Sequence, residues 1–444
     1  MSARVSLPMR LTLSMIALSI SIWPAQTLAH DNARPRDDAR PIADFPDVGN
    51  LKVLAVDLHT HSVFSDGHVW PSIRAEEAAR DVIDAIAITE HLEWQPHIAD
   101  IPNTDRNRSY EETVRSAKAL DVLIIPGVEI TRIDETGHIN SVFIKDANPL
   151  VQASGIKDYV PDHLFTTRAE AEAAARAQSE AFASAHKVER DEETKWAPFS
   201  SREVYMTLVN FGVAAERDPR EVLDAAAAQG AFSFWNHPLF EKPDWNLPKF
   251  HRAAIKNNVL QGIEIANGDH YYPNAHRLAL KHNLALIGTS DVHQLIAWDY
   301  DREKNQHRPV TLVLAAERNA EAIKDALFAR RTIVWWNHTL IGRKAELQPL
   351  LEASITLEKV SLSSSGRTQL WLRNHTGAEF RVAHTDGPAT TRAAGQFALQ
   401  PKSLTQVDVA TDKSTATLTL TVLNALLAPG EAATLEIAFE KPTQ

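Results

Sequence analysis

The sequence predicts an α/β protein with a C-terminal all-β domain. Short apolar runs that suit buried strands recur at 53–58, 85–89, 122–128, 139–144, 231–235, 262–265, 284–288 and 311–314. Helical stretches lie between most of them, at 71–80, 110–120, 168–186, 219–229, 273–282 and 319–330. From Lys344 onward the chain turns rich in Thr, Ser and Val, with period-two stretches at 369–373, 406–410 and 416–422. A repeated strand–helix order predicts a parallel sheet flanked by helices, either an open doubly wound sheet or a closed barrel. A dinucleotide-binding sheet would carry a GxGxxG turn after its first strand; here that strand ends in a histidine cluster instead.

In chain order, residues 1–29 read as a signal peptide. Arg4 and Arg10 precede an apolar run over 11–23, and Thr27 and Ala29 fit a cleavage site that would leave His30 as the first residue. Ser14, Ser19 and Ser21 make that run too polar for a spanning helix, and no later stretch has the length for one. A periplasmic or secreted protein without an integral membrane segment is expected. Residues 30–50, rich in Pro, Asp and Arg, read as a linker, and 51–344 as the α/β body. Within that body, 146–217 is too long for an ordinary connection and reads as a helical insertion that could serve as a lid. Asp218, Pro219 and Gly230 mark the two ends of the helix that follows it. Residues 345–444 form the β domain, expected to be sandwich-like.

Composition narrows the chemistry. The 444 residues include no cysteine, which excludes disulfide scaffolds, zinc-thiolate sites and cysteine nucleophiles. A metal must then be held by carboxylates and by some of the 19 histidines. A net charge of −11 argues against a nucleic-acid polymer as partner, because phosphate backbones call for a basic surface.

The histidines and acids that matter stand at strand ends: His59 and His61 with Asp66 close behind, His91, Glu129, His237, Asp291 and His293, with His138 at the start of the fourth strand. Strand-terminal side chains far apart in sequence converge on one rim of such a sheet. Two residues apart in a strand, His59 and His61 point the same way and can reach one ion. Imidazole and carboxylate donors suit Zn, Mn and Fe, and more than four of them imply more than one ion. The histidines at 97, 163, 186, 251, 276, 282 and 307 lack partners at ligand spacing and are expected to be structural. His68 and His270 follow strand ends and are candidates for substrate contact. Tyr271, Tyr272 and Trp298 are candidates for a pocket wall.

The motifs Asp-Leu-His59-Thr-His61-Ser-Val-Phe-Ser-Asp66-Gly, Ile-Thr-Glu-His91, Pro-Gly-Val-Glu129, Gly-His138-Ile-Asn, Asn-His237-Pro and Gly-Thr-Ser-Asp291-Val-His293 resemble, in order, those of the polymerase-and-histidinol-phosphatase (PHP) family. The resemblance covers about 53–336, without the insertion, and implies a distorted seven-stranded (β/α) TIM-like barrel that hydrolyses phosphate esters with two to three divalent metal ions (Zn, Mn or Fe). It implies one ion on His59, His61, Glu129 and Asp291, and a second sharing Glu129 and adding His138 and His237. The third would take Asp66, His91 and His293. Metal-activated water is then the nucleophile, which agrees with the absence of cysteine and of a GxSxG motif. Glu129 and His237 would serve catalysis as ligands, and Asp291 is in addition a candidate proton donor. Arg168, Arg202 and Arg277 are available for phosphate, with His270 beside them as a substrate contact. The expected substrate is a small phosphate ester; a carboxylic ester or carbamate is the alternative, kept open by Trp235, Trp298, Trp335 and Trp336, which would suit a more apolar pocket. Another reading makes the β domain a binder of carbohydrate, cell-surface component or partner on a passive barrel, against which the complete ligand set argues.

Overall fold

The computed structural model of the protein describes residues 41–151, 218–238, 247–384, 395–409, 411 and 413–442, apart from 94, 96, 98–100, 102, 104, 133–135 and 365. The expected signal peptide, most of the linker, and the insertion beyond residue 151 lie outside the described residues, and so do Arg168 and Arg202. The described residues all fall in one compact unit.

Seven strands make the ring: β1 (Lys52–Asp57), β2 (Ala85–Ile88), β3 (Leu123–Ile130), β4 (Ile139–Val142), β5 (Phe232–Trp235), β6 (Gly262–Asn267) and, after the two-residue β7 (His270–Tyr271), β8 (Ala285–Thr289). Their neighbours follow in that order. Helices α1 (Pro71–Arg80), α2 (Arg108–Ala117), α3 (Pro219–Ala228), α4 (Lys249–Lys256), α5 (Pro273–His282) and the short α6 (Ile296–Asp299) stand between or after them. The sheet is mixed rather than parallel. β4 runs antiparallel to both β3 and β5, because residues 131–138 are too short for the crossover that a parallel partner needs.

No continuous ladder closes the ring. The ends of β1 and β8 meet beyond their last ladder residues through one bridge, Thr60 with Val292, where His61 N donates to Val292 O (3.1 Å) and Asp291 N to His59 O (3.0 Å). Lower down, β9 (Val310–Ala315) pairs antiparallel with β1 and fills the seam. Thr311 Oγ1 accepts from Gly288 N (3.0 Å) and donates to Gly288 O (2.9 Å), standing in for a ladder.

After α7 (Ala320–Phe328), whose first turn is capped by Asn319 accepting from Ala322 N, the hairpin β10 (Thr332–Trp336) and β11 (Thr339–Gly342) extends the sheet from β9. α8 (Lys344–Ser354) then stands where the composition suggested a strand. The β domain follows as β12 (Ile355–Leu362), β13 (Thr368–Asn374), β14 (Phe380–His384), β15 (Gln396–Leu399), β16 (Leu404–Val409), β17 (Thr415–Ala428) and β18 (Glu431–Glu440). β12, β13 and β16 make one layer, and β15, β14, β17 and β18 the other. Alternate residues of β18 are buried, so one face of that strand meets the core and the other solvent. β17 also pairs parallel with β11, joining the second layer to the barrel's sheet. One apolar cluster spans the join, with Ile86, Leu312 and Trp335 from one side and Leu370, Leu418 and Leu435 from the other. Residues 41–50 belong to this body rather than to a free linker: Phe45 packs edge-on against Trp335 at 5.2 Å, and Ile42 N bonds Asp81 O.

Candidate metal centre

The C-terminal ends of the ring strands, with the start of the antiparallel β4 for His138, gather all nine expected residues, His59, His61, Asp66, His91, Glu129, His138, His237, Asp291 and His293, into overlapping groups whose donor atoms lie within 4.8 Å of one another. Glu129, at the end of β3 and fully buried, is the hub. Its Oε2 stands 3.3 Å from His59 Nε2, 3.2 Å from His61 Nε2 and 3.0 Å from His91 Nδ1; its Oε1 stands 3.0 Å from His138 Nδ1 and 3.5 Å from His237 Nε2. Asp291 Oδ1 lies 3.1 Å from His59 Nε2 and 3.2 Å from His61 Nε2. Asp66 Oδ2 reaches His293 Nε2 at 3.0 Å and His91 Nε2 at 3.5 Å.

The outward nitrogens are held by other residues. Glu264 Oε1 accepts from His59 Nδ1 (2.8 Å), and Ser65 Oγ accepts from His61 Nδ1 (3.2 Å) while donating to Glu90 Oε2 (2.5 Å). Asp291 O accepts from His293 Nδ1 (2.8 Å). Each of these rings is thereby fixed with Nε2 facing the cluster, the arrangement by which a ligating histidine is oriented. Asn236 Nδ2 donates to Glu129 Oε1 at 2.7 Å and turns the hub carboxylate. Two of the candidate ligands also hold left-handed backbone, His237 at φ 22° and Asp291 at φ 52°, a cost that ordinary packing does not require.

Burial pushes the three carboxylic acids up, but the imidazoles outweigh it. Asp66 is held well below its usual range by His91 and His293, Glu129 by His91, His59 and His138, and Asp291 by His59 and its neighbours. In return, burial pushes His59, His91 and His293 down, and the facing carboxylates carry each of them above the usual value, His293 to about 9. His138 stays below it, where burial prevails over Glu129. A metal ion suits this donor set for a separate reason: Glu129 Oε2 is buried with no hydrogen-bond partner although three ring nitrogens surround it. Such an atom is costly unless a cation takes up its charge.

Glu264, in the middle of the buried β6, had no place among the expected site residues; the only signal was an acid inside an apolar run. Glu90 and Asn236 adjoin ligands in the sequence but carried no role. Of the expected substrate contacts, His270 and Arg277 are among the described residues. His270 is exposed on β7, its ring 6.3 Å from that of Tyr272. Arg277 is exposed on α5 and bonds Asn274 of the same helix. His68 lies nearer, with its N bonded to His293 O and its Nδ1 to Gln294 Nε2. Of the tryptophans, Trp235 is buried and stacks on His251, Trp335 packs among Phe45 and His307, and Trp336 donates to Gly268 O. Trp298 alone of these is mostly exposed, at 72%.

An Ig-like domain family model matches residues 354–438. Among solved structures, the chain resembles a two-domain protein of Bacteroides vulgatus described as containing a predicted PHP-like metal-dependent phosphoesterase. The two are 31% identical over 90% of this chain and 99% of that one, with a TM-score of 0.71. Fainter likenesses, too weak to bear on fold or function, are to a candidate metal-dependent phosphoesterase of Bifidobacterium adolescentis (18% identity, 55% of this chain and 89% of that one, TM-score 0.34) and an amidohydrolase of Chromobacterium violaceum (21% identity, 54% and 87%, TM-score 0.31). A search of curated proteins finds no match.

Proposed function

The chain belongs to the PHP-like family of metal-dependent phosphoesterases, and we propose that it is an exported member that hydrolyses a small phosphate ester at a centre of two to three divalent metal ions. The observation that carries this reading is the convergence of nine donors in overlapping groups, with Glu129 among them and its Oε2 left without a hydrogen bond. The charged start, apolar run and small residues of 1–29 support export to the periplasm or beyond.

By the resemblance, His59, His61, Glu129 and Asp291 would hold one ion, Glu129, His138 and His237 a second, and Asp66, His91 and His293 a third; the donor groups overlap these sets, with His237 also beside His59 and Asp291, and His91 beside Glu129 and His138. When bound, such ions neutralise phosphate oxygens and make water a nucleophile near neutral pH. The chain's own part is to hold the donors in place. Glu264 and Ser65 present the Nε2 atoms of His59 and His61, and Asn236 fixes the Glu129 carboxylate. Asp291 Oδ2 accepts from Asn267 Nδ2 (3.3 Å), which leaves Oδ1 facing the cluster; Asp291, held ionised, is the candidate to take the proton given up by the attacking water and pass it to the departing alkoxide.

The test is an assay of purified protein loaded with Mn or Zn on p-nitrophenyl phosphate, p-nitrophenyl acetate and a p-nitrophenyl carbamate. Turnover of the phosphate ester is expected, lost on chelation and lowered by at least ~100-fold in Glu129→Gln, as for removal of charge from a preorganised site. Turnover of acetate or carbamate without phosphate would transfer the site to ester or carbamate hydrolysis.

A further inference from the structure

We propose that Arg74 is a positioning residue for the metal centre, its guanidinium bracing the ligand-bearing ends of β1 and β8 so that the Asp66, His91 and His293 group keeps its spacing from His61; this rests on the metal-centre reading above. Arg74 sits in the middle of α1 with its side chain fully buried. Its Nε donates to His61 O (2.7 Å), Nη1 to Gln294 O (2.7 Å) and to Glu77 Oε2 (2.7 Å), and Nη2 to Val292 O (3.2 Å). The three carbonyls belong to a ligand on one side of the seam and to the two residues flanking His293 on the other. Glu77 completes the brace, for its Oε1 accepts from Ile296 N at 2.8 Å.

A buried guanidinium is a poor device for stability alone, since an apolar residue of the same volume commonly serves as well. Its planar fork of five donors, in contrast, can fix several acceptors in one plane, which a lysine ammonium cannot. Such a brace has work to do at this place. The ends of β1 and β8 are joined by the single Thr60–Val292 bridge and, below it, by Ser290 N and Oγ donating to the Asp57 carboxylate, so past Val292 little else in the backbone holds the stretch that carries His293. The inner donors are better held: Asp291 N to His59 O belongs to that bridge, and Asn267 Nδ2 links Asp291 to Glu264 of β6, which in turn holds His59 Nδ1. His293 depends more on the brace, being tied across the seam through its O to His68 N and through Asp66.

The experiment is equilibrium dialysis of the full chain against Mn, with bound metal counted by elemental mass spectrometry for wild type, Arg74→Lys, Arg74→Met and, as a destabilised control, Leu350→Ala in the apolar core. The Arg74 variants are expected to lose about 10–100-fold in affinity for one ion and to keep the others, as when an outer partner of a ligand is removed. Leu350→Ala should lower the Tm and leave the isotherm unchanged. An Arg74→Lys isotherm that overlays wild type overturns the proposal. If the Arg74 variants fail to fold, Glu77→Gln, which keeps the guanidinium and weakens its anchor, should weaken the same ion, and an unchanged isotherm overturns the proposal equally. A wild-type protein that binds no metal would sink the functional reading itself, which is a different outcome.

Discussion

Glu264 shows at the scale of one residue what the chemistry asks of the chain. Fully buried in β6, it accepts four hydrogen bonds: from His59 Nδ1, from Thr289 Oγ1 (2.6 Å), from His237 N (2.6 Å) and from Asn267 Nδ2 (2.9 Å). Its charge favours the tautomer of His59 that offers Nε2 to the cluster, and it holds the backbone of a second ligand. Glu264→Gln keeps the shape and removes the charge, and should weaken metal binding about 10–100-fold by calorimetric titration with Mn. Unchanged affinity would mean that His59 needs no such partner. The nine donors themselves were legible, because strand-terminal His, Asp and Glu in a fixed order constrain one another. Glu264 was not, since a sequence reports an acid in an apolar strand without saying that the face it shares with Gly262 and, past a bulge, Asn267 looks toward His59.

At the scale of elements, the ring strands were legible to within a few residues because buried runs bounded by helices carry their own ends. The direction of β4 was misread as parallel, although the brevity of residues 131–138 held the answer. The β10–β11 hairpin went unseen. Its turn residues, Asn337 and His338, both take left-handed backbone (φ 43° and 56°), a turn usually announced by Asn-Gly, and histidine in the second place hides it. α8 was read as part of the β tail, since Pro349 sits inside it and argues against a helix in any local reading. Packing against the core through Leu347, Leu350 and Leu351 outweighs that local cost.

Over the whole molecule, the Ig-like layers and the barrel share one core and one sheet junction, which composition alone divides at about residue 345. His307 stands at this junction, stacked on Trp335 and beside His338, and lines a cleft of about 520 Å³ with Arg381 and Asn424 of the Ig-like domain. Its Nδ1 donates to Arg308 O and its Nε2 accepts from His338 N, so the neutral ring uses both nitrogens, and burial pushes its pKa down to about 4. The unfolded chain protonates this residue near 6.5, so the stability it contributes is complete above that pH and lost as pH falls toward 4. We expect one cooperative urea transition for both domains, its unfolding free energy falling over that window by on the order of 2 kcal/mol more than in His307→Gln. Parallel pH profiles, or two separate transitions, would contradict this. Whether the nine donors are metal ligands is tested most directly by anomalous diffraction from crystals of the protein grown with Mn. It should show two or three peaks enclosed by His59, His61, Asp66, His91, Glu129, His138, His237, Asp291 and His293. A map with no peak there, while Mn is present in the crystal, would contradict it.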